Sequence, residues 1–202
     1  MPPTPSFPRK RESTLDQKPG AGLDPRLRGG DSLGKRPRRH VLPDVLVPGL
    51  VTVFCGSAVG RKSALLRASY AGPGNKFWPT LFAVGITPRR IVPSEFRSIT
   101  EFGIGLTDMN KHELGGDHEL TDAADDPRAL RRKILRYRPR ILAFTAKRPA
   151  QVFLDRPVAY GLQPDTIGET RVFVLPSPSG RAGAFWDIAH WRALAELHRS
   201  LA

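Results

Sequence analysis

The chain has 202 residues with 32 Lys and Arg against 19 Asp and Glu, which gives a formal net charge of +13. Its single cysteine, Cys55, excludes an intrachain disulfide, and its place in an apolar run predicts a buried thiol in a reducing compartment. No apolar stretch reaches the roughly 18 to 20 residues of a membrane span, so we expect a cytoplasmic protein. The positive charge predicts a polyanionic partner, nucleic acid first and a membrane surface second.

Residues 1–40 differ from the rest of the chain in composition. They hold 10 Lys and Arg, 4 Asp and Glu, seven Pro and five Gly without apolar periodicity, which predicts a disordered basic tail. Its segments SFPRKRES and LDPRLRGGD resemble peptides read from dispersed genomic repeats, which often appear where a start codon is assigned too far upstream. The tail is therefore either absent from the natural product or a basic arm that raises DNA affinity. Residues 41–202 form the predicted domain.

From Val41 onward, strand and helix patterns alternate. The first predicted strand, Leu50 to Cys55, is apolar on both faces, as in a buried parallel sheet. The elements predicted after it are helices at 62–70, 76–84 and 94–102, a helix from Asp126 to Pro139, a strand at 141–144, a short helix at 150–154, a strand at 171–175 and a helix at 184–201. This order predicts an α/β fold, a three-layer α/β/α sandwich around a short, mostly parallel sheet.

Ligands of such sheets bind beyond the carboxyl ends of the strands, so the loops after Cys55, Phe144 and Leu175 are the first places to look for a site. The loop after Cys55 approaches a phosphate-binding motif, because Gly56 and Lys62 have the separation that the motif requires. Its second glycine falls one place early, however, and the later strand ILAFTA offers no Asp to hold Mg²⁺. The sequence therefore disfavours nucleotide hydrolysis.

Five segments carry a more specific pattern: FCGSAVG (54–60), YAGPGNKFW (70–78), GLTDMNK (105–111), LRRKILRYRPR (130–140) and VLPSPSGR (174–181). In this order they resemble the uracil-DNA glycosylase superfamily, most closely its mismatch-specific uracil/thymine branch. The resemblance covers residues 44–201. It implies a three-layer fold and hydrolysis of the N-glycosidic bond of a damaged base, with no metal or organic cofactor.

The resemblance also implies roles for residues of the first two segments. Tyr70 stands where the family places the aromatic that stacks on a flipped base. The backbone N–H groups of Ser57 and Ala58, next to Gly56, stand where charge on the leaving base is stabilised. Asn75 is predicted to hydrogen-bond its own loop and to help bind the substrate.

The first and last segments depart from the family pattern. Ala58 replaces the Asn that positions the attacking water, and Ser177, a predicted substrate contact, replaces another Asn. Asp108 is the best replacement, because a carboxylate can accept the proton of the water and stabilise a positively charged sugar. A turn or helix-capping role for Asp108 is the alternative, and His112 is a second candidate for the catalytic role.

The last segment matches the loop that enters the minor groove in this family. Pro178, Ser179 and Gly180 let the backbone approach DNA, and Arg181 stands where the family inserts a wedge into the gap left by the flipped base. An ordinary surface loop is the alternative interpretation.

The acidic segment that contains His112 and His118 lacks the spacing of a metal motif, so no metal site is predicted. No lysine is marked as a Schiff-base nucleophile. We therefore expect a monomeric, monofunctional glycosylase that acts on uracil, and on other deaminated bases, in double-stranded and in single-stranded DNA, without a membrane partner. The alternative is a catalytically inactive relative that binds DNA.

Overall fold

The computed structural model describes residues 39–202, so the predicted basic tail lies outside the described residues except for its last two. Five strands form one sheet in the order β2-β1-β3-β5-β4. The strands are β1 (Thr52–Gly56), β2 (Ile104–Asp108), β3 (Ile141–Phe144), β4 (Gly161–Ile167) and β5 (Thr170–Val174). The α-helices are α1 (Arg61–Leu66), α2 (Phe77–Ala83), α3 (Pro127–Tyr137), α4 (Lys147–Leu154) and α5 (Ile188–Leu201). All neighbouring strands pair in parallel except β4 with β5.

Alternate residues of the central strands face two separate cores. Phe54 of β1 belongs to the core that also contains Trp191 of α5, whereas Val53 belongs to the core that contains Leu130 of α3 and Phe153 of α4. These side chains are at most 6% exposed, so helices cover both faces of the sheet. The predicted three-layer α/β/α architecture with a mostly parallel sheet is confirmed.

Several predicted boundaries were wrong. The predicted helix at 94–102 is two 3-10 helices, Pro93–Glu95 and Ser98–Phe102. The predicted helix at 184–201 is divided into a 3-10 helix, Gly180–Phe185, and α5, because Asp187 accepts a hydrogen bond from the backbone N–H of Ala189 at 2.8 Å and starts a new helix. Strands β2 and β4 were not predicted.

Cys55 is fully buried in β1, as its apolar neighbours predicted. Burial, followed by the nearby charge of Asp108, raises the pKa of its thiol well above the usual value. A thiol of this kind is a packing group and not a nucleophile.

Within residues 39–202, no helix combines the length and the apolar character needed to cross a membrane.

Candidate active site

Loops that follow the parallel strands surround one cavity of about 690 Å³ at the carboxyl edge of the sheet. The loops predicted after β1, β3 and β5 all contribute, and β2 adds its last residue, Asp108. Apart from His112, every residue that the sequence proposed for the site lines this cavity: Gly56, Ser57, Ala58, Tyr70, Asn75, Asp108, Ser177, Pro178, Ser179, Gly180 and Arg181. Because parallel strands end at the same edge, segments far apart in the chain meet here.

Asp108 is fixed by its place at the end of β2. It is paired in register with Gly56, the last residue of β1. A β-carbon built on Gly56 would lie 2.9 Å from Oδ1 of Asp108, 3.5 Å from the hydroxyl oxygen of Tyr70 and 3.8 Å from Oγ1 of Thr145. The absence of a side chain at position 56 therefore leaves room for three polar groups to converge, and Oδ1 of Asp108 lies on the side of Gly56, Tyr70 and Thr145, which all line the cavity.

The other oxygen of Asp108 belongs to a buried chain of charges. Lys111 Nζ lies 3.1 Å from Oδ2 of Asp108 and 3.0 Å from Oδ1 of Asp44, while Lys133 Nζ lies 2.7 Å from Oδ2 of Asp44. The Lys111 side chain is 7% exposed and both Asp side chains are 17% exposed. Lys111 thus holds Oδ2, whereas Oδ1 lies on the side of Gly56.

The charge chain is also visible in the pKa values of its members. Burial alone would lower the pKa of Lys111, but the carboxylates of Asp108 and Asp44 outweigh it and raise that pKa. Burial alone would raise the pKa of Asp44, but Lys111 and Lys133 outweigh it and lower that pKa. Both groups therefore remain charged at neutral pH. The sequence pattern does not predict roles for Lys111 and Asp44, because only the fold brings residue 44 next to residue 111.

The loop after β1 is held by the segment that follows Asp108. The backbone N–H groups of Met109 and Asn110 donate to the carbonyl oxygens of Gly56 and Ser57 at 2.9 and 2.8 Å. Ala58 lines the cavity next to them, and its methyl group can neither donate nor accept a hydrogen bond. Any interaction of this loop with a polar substrate must therefore come from its backbone and from Ser57.

Tyr70 has a strained backbone and a fixed ring. Its φ angle is 54°, in the left-handed region that bulky residues rarely adopt. Its ring stacks on Phe77 with centroids 3.8 Å apart, and its hydroxyl lies 3.3 Å from Oγ1 of Thr145. Burial, followed by the charge of Asp108, raises the pKa of Tyr70 well above its usual value, so the hydroxyl stays protonated. One ring face is covered by Phe77, and the ring still lines the cavity.

Thr145, the first residue after β3, is a site residue that the sequence analysis missed. It lines the cavity, and its hydroxyl approaches both Tyr70 and the carbonyl oxygen of Cys55, at 3.3 and 3.4 Å. Its position directly after a predicted buried strand was the available signal.

The segment around Asn75 and the last loop contact each other through their backbones. Asn75 Oδ1 accepts a hydrogen bond from the N–H of Phe77 at 2.9 Å, which confirms the predicted bond within its own loop. The N–H of Lys76 donates to the carbonyl oxygen of Pro178 at 2.8 Å. A β-carbon on Gly180 would lie 3.0 Å from the carbonyl oxygen of Pro73, so this crossing is close. The two loops form one continuous wall of the cavity.

Arg181 is exposed at the mouth of the cavity. Its backbone N–H donates to Oγ of Ser179, and the N–H of Ser179 donates to Oγ of Ser177. These two bonds, at 3.3 and 3.4 Å, are long, and each joins residues only two positions apart in the loop. The guanidinium lies across the mouth from Gly116, with Nη1 3.8 Å from the position of a β-carbon there.

The acidic segment at 112–119 does not assemble a metal site or an alternative base. His112 is exposed, packs against the ring of His40 at 5.4 Å and does not line the cavity, so its position does not support the catalytic role considered for it. The backbone N–H of Gly116 and then the guanidinium of Arg61 lower the pKa of Glu119 to about 2. Within residues 39–202, no three His, Cys, Asp or Glu side chains cluster as metal ligands would.

These features define an α/β protein in which a carboxylate at the end of β2, a stacked aromatic ring and glycine-containing loops surround one cleft. Residues 43–194 match the sequence model of the uracil DNA glycosylase superfamily, and the chain belongs to that superfamily. The solution NMR structure of a candidate uracil DNA glycosylase from Methanosarcina acetivorans is similar in fold, with a TM-score of 0.53 at 20% identity. The similarity covers 80% of this chain and 98% of that protein. Membership of the superfamily is confirmed, and the mismatch-specific branch stays a prediction.

Proposed function

We propose that this protein is a monofunctional DNA glycosylase that flips uracil out of DNA and hydrolyses its N-glycosidic bond, with Asp108 as the catalytic carboxylate. The observation that carries the proposal is the position of Asp108. One of its oxygens is held by Lys111, and the other, Oδ1, lies beside Gly56 among residues that line the cavity. Superfamily membership supplies the class of reaction and DNA as the partner.

In the proposed complex, the flipped base enters the cavity and stacks on the ring face of Tyr70 that Phe77 does not cover. Stacking and hydrogen bonds must offset the few kcal/mol that unpairing and unstacking cost. The Asn75 side chain caps its own loop through Oδ1, which leaves its amide nitrogen to contact the base. Ser177, in the adjoining last loop, contributes its hydroxyl to the base.

The proposed reaction breaks the bond between the base nitrogen and C1′ of the sugar. As this bond lengthens, the electron pair leaves with the base, and the backbone N–H groups of Ser57 and Ala58 stabilise the negative charge on it. The sugar becomes positively charged, and the carboxylate of Asp108 stabilises it. A water molecule then adds its oxygen to C1′ and gives a proton to Oδ1 of Asp108. The proton then passes from Asp108 through solvent to the base anion, which restores the carboxylate and leaves the neutral free base and an abasic site.

The last loop is proposed to hold the opened duplex. Pro178, Ser179 and Gly180 bring the backbone close to DNA, and Arg181 fills the gap beside the cavity while pairing with phosphate. Its exposure at the mouth supports this role.

A duplex with a single G·U pair and a labelled strand tests the proposal. After incubation with the protein and treatment with alkali, strand scission reports an abasic site. We expect scission with the wild-type protein and a loss of at least about 100-fold with Asp108→Asn, because the amide cannot accept the proton. Binding of the duplex should change little.

Asp187→Asn is the matched control. Asp187 is a helix cap with a side chain that is 58% exposed, it does not line the cavity, and Asn caps helices equally well. Its activity should equal that of the wild type. Duplex binding without any scission by the wild-type protein would instead support the inactive DNA-binding relative that Ala58 and Ser177 suggest.

A further inference from the structure

Helix α3 carries an unusual concentration of positive charge. Residues 128–140 contain six Arg and one Lys and no Asp or Glu. Four of these arginines lie within α3 and are exposed; we call them the α3 arginine row: Arg128, Arg131, Arg132 and Arg136. Lys133 differs from them, because it is paired with the buried carboxylate of Asp44.

The row occupies the outer side of the helix. At 100° per residue, its members fall within an arc of about 140°, opposite the buried Leu130 and Ile134. It extends about 12 Å along the axis at 1.5 Å per residue. Within residues 39–202, none of the four arginines forms an ion pair with a carboxylate.

Only Arg136, in the last turn, is favoured by the helix dipole, and the rest of this arrangement does not favour the helix itself. Arg132 lies four residues from both Arg128 and Arg136, and like charges at that spacing repel. Arg128 is in the first turn, where the helix dipole opposes a cation. Helix α5, on the other side of the sheet, instead places Arg192 four residues before Glu196, the mixed pattern of a solvated helix. The row is better explained by a polyanionic partner than by folding.

The row lies apart from the cleft. None of its members lines the cavity. The helix starts near the cleft, where the N–H of Asp126 donates to the carbonyl oxygen of Met109 at 3.3 Å, and it ends just before β3 begins at the opposite edge of the sheet. DNA seated in the cleft therefore does not account for the far end of the row.

We infer that the α3 arginine row is a second, sequence-independent binding surface for the phosphate backbone of DNA, outside the glycosylase cleft. The inference rests on the proposed function only for the class of its partner. Guanidinium groups donate two parallel hydrogen bonds to phosphate, which suits arginine to this contact better than lysine. A 12 Å row spans about seven phosphate charges of a duplex. The surface keeps the protein on undamaged DNA between lesions.

The test is the salt dependence of binding to a duplex that contains no uracil, measured by fluorescence anisotropy with the full chain. The double variant Arg132→Gln, Arg136→Gln removes the two arginines farthest from the cleft and keeps good helix formers. We expect the slope of log affinity against log salt to become shallower by about 2, because each phosphate contact contributes about 0.9. Arg132→Lys, Arg136→Lys keeps both charges and should retain the wild-type slope.

Arg97→Gln, Arg192→Gln is the charge-matched control, since both residues are exposed and lie beside the core on the other face of the sheet. Its slope should equal that of the wild type. A row variant with the wild-type slope, or a control with an equal loss, would overturn the inference. So would a row variant that keeps its DNA slope but binds anionic phosphatidylglycerol vesicles less well, because the partner would then be a membrane surface.

Excision measured in parallel separates this inference from the proposed function. The row variant should release uracil from a short single-stranded oligonucleotide at the wild-type rate, since the cleft is untouched. If the wild-type protein excises no uracil but the row variant still shows the shallower slope, the proposed function is wrong and the second binding surface is supported. If the row variant loses excision but keeps the wild-type salt slope, these arginines take part in the reaction, and the inference of a second binding surface is overturned.

Discussion

Gly56 and Asp108 are opposite each other in neighbouring parallel strands, and a β-carbon at position 56 would lie 2.9 Å from Oδ1 of the carboxylate. Real β-carbons do not come so close to an oxygen, so a side chain at position 56 must displace Asp108. That carboxylate cannot simply turn away, because Lys111 holds Oδ2 at 3.1 Å. The glycine that begins the first loop is thus required by the carboxylate of another strand.

We therefore predict that Gly56→Ala lowers the rate of uracil excision by at least about tenfold, since small displacements of a catalytic group are costly. The rate is measured on the G·U duplex under single-turnover conditions. Gly60→Ala is the matched control in the same loop, because no atom lies within 4 Å of its β-carbon position. Equal rates for the two variants would contradict the role given to Gly56.

The sequence predicted the three central strands and the cavity that their loops form, and it missed β2 and β4 for physical reasons. Gly105 weakens the apolar strand pattern of β2. The folded protein nevertheless needs a glycine there, because a β-carbon would lie 2.6 Å from the Leu50 side chain and 2.8 Å from the carbonyl oxygen of Val45. In β4, Pro164 interrupts the pattern, and it is tolerated because the strand is at the sheet edge, with a register irregularity between Leu162 and Thr166.

The candidate site was predictable where one segment carries its own signal, as in the loops that contain Tyr70 and Arg181. The ion pairs that hold Asp108, formed by Lys111 and Asp44, were not predictable in this way. Lys111 is three residues from Asp108 in the chain, but its second carboxylate, Asp44, comes from a segment before β1. The antiparallel bridge between Val45 and Leu106 of β2 places Asp44 beside Lys111, and a single sequence holds no record of that bridge.

The ion pairs of Lys111 give a prediction about stability. Lys111→Met leaves the carboxylates of Asp44 and Asp108, each 17% exposed, without their shared cation. Removing one member of a buried ion pair costs about 3 kcal/mol, so we expect the free energy of unfolding at pH 7 to fall by that order. Excision should also slow, because Oδ2 of Asp108 is no longer held. Urea unfolding followed by circular dichroism measures the first effect.

The pH dependence of this loss follows from the two shifted pKa values. The pKa of Asp44 is lowered on folding, so its contribution is present above about pH 4 and is lost as the pH falls through the folded value. The pKa of Lys111 is raised, so its contribution is present below about pH 10 and is lost as the pH rises through the folded value. The wild type should exceed Lys111→Met most between about pH 5 and 9.

Unfolding curves of the wild type and of Lys111→Met at pH 3 and pH 7 therefore test whether Lys111 stabilises the fold through its charge. A difference in unfolding free energy of the same size at both pH values would show that Lys111 acts by packing. Arg61→Met is the control. It removes the exposed ion pair with Glu119 at the surface and should leave the stability close to that of the wild type.

Tyr70 is predicted to act through its ring more than through its hydroxyl. Tyr70→Phe keeps the stack on Phe77 and loses only the 3.3 Å contact with Thr145, so excision should stay within a few-fold of the wild type. Tyr70→Ala removes the surface on which the base stacks, which is worth about 1–3 kcal/mol per base, and should lower kcat/KM by about 10- to 100-fold.

Phe82→Ala serves as the control for Tyr70→Ala, because Phe82 is an aromatic residue of α2 that is 40% exposed and does not line the cavity. Thermal melts of all three variants show how much folded protein each assay contains. Similar losses of kcat/KM for Tyr70→Phe and Tyr70→Ala would transfer the role from the ring to the hydroxyl.

The charge of the chain divides between two parts that are predicted to act differently. Residues 1–40 carry 10 Lys and Arg against 4 Asp and Glu, a net charge of +6 out of the total of +13. Deleting them removes nearly half of the net positive charge but none of the described residues that line the cavity. We expect the affinity for undamaged duplex to fall at low salt and the difference to vanish as salt is raised from about 50 to 200 mM, because it arises from counterion release.

Excision from the G·U duplex at saturating protein should be the same with and without residues 1–40, since single-turnover chemistry then reports the cleft alone. The deletion can be compared with the double variant Arg132→Gln, Arg136→Gln. Both changes are expected to weaken binding of undamaged duplex by removing positive charge, but in different parts of the chain. If the tail and the row bind phosphates independently, their effects on log affinity should add. A slower single-turnover rate after the deletion would mean that the tail takes part in the reaction.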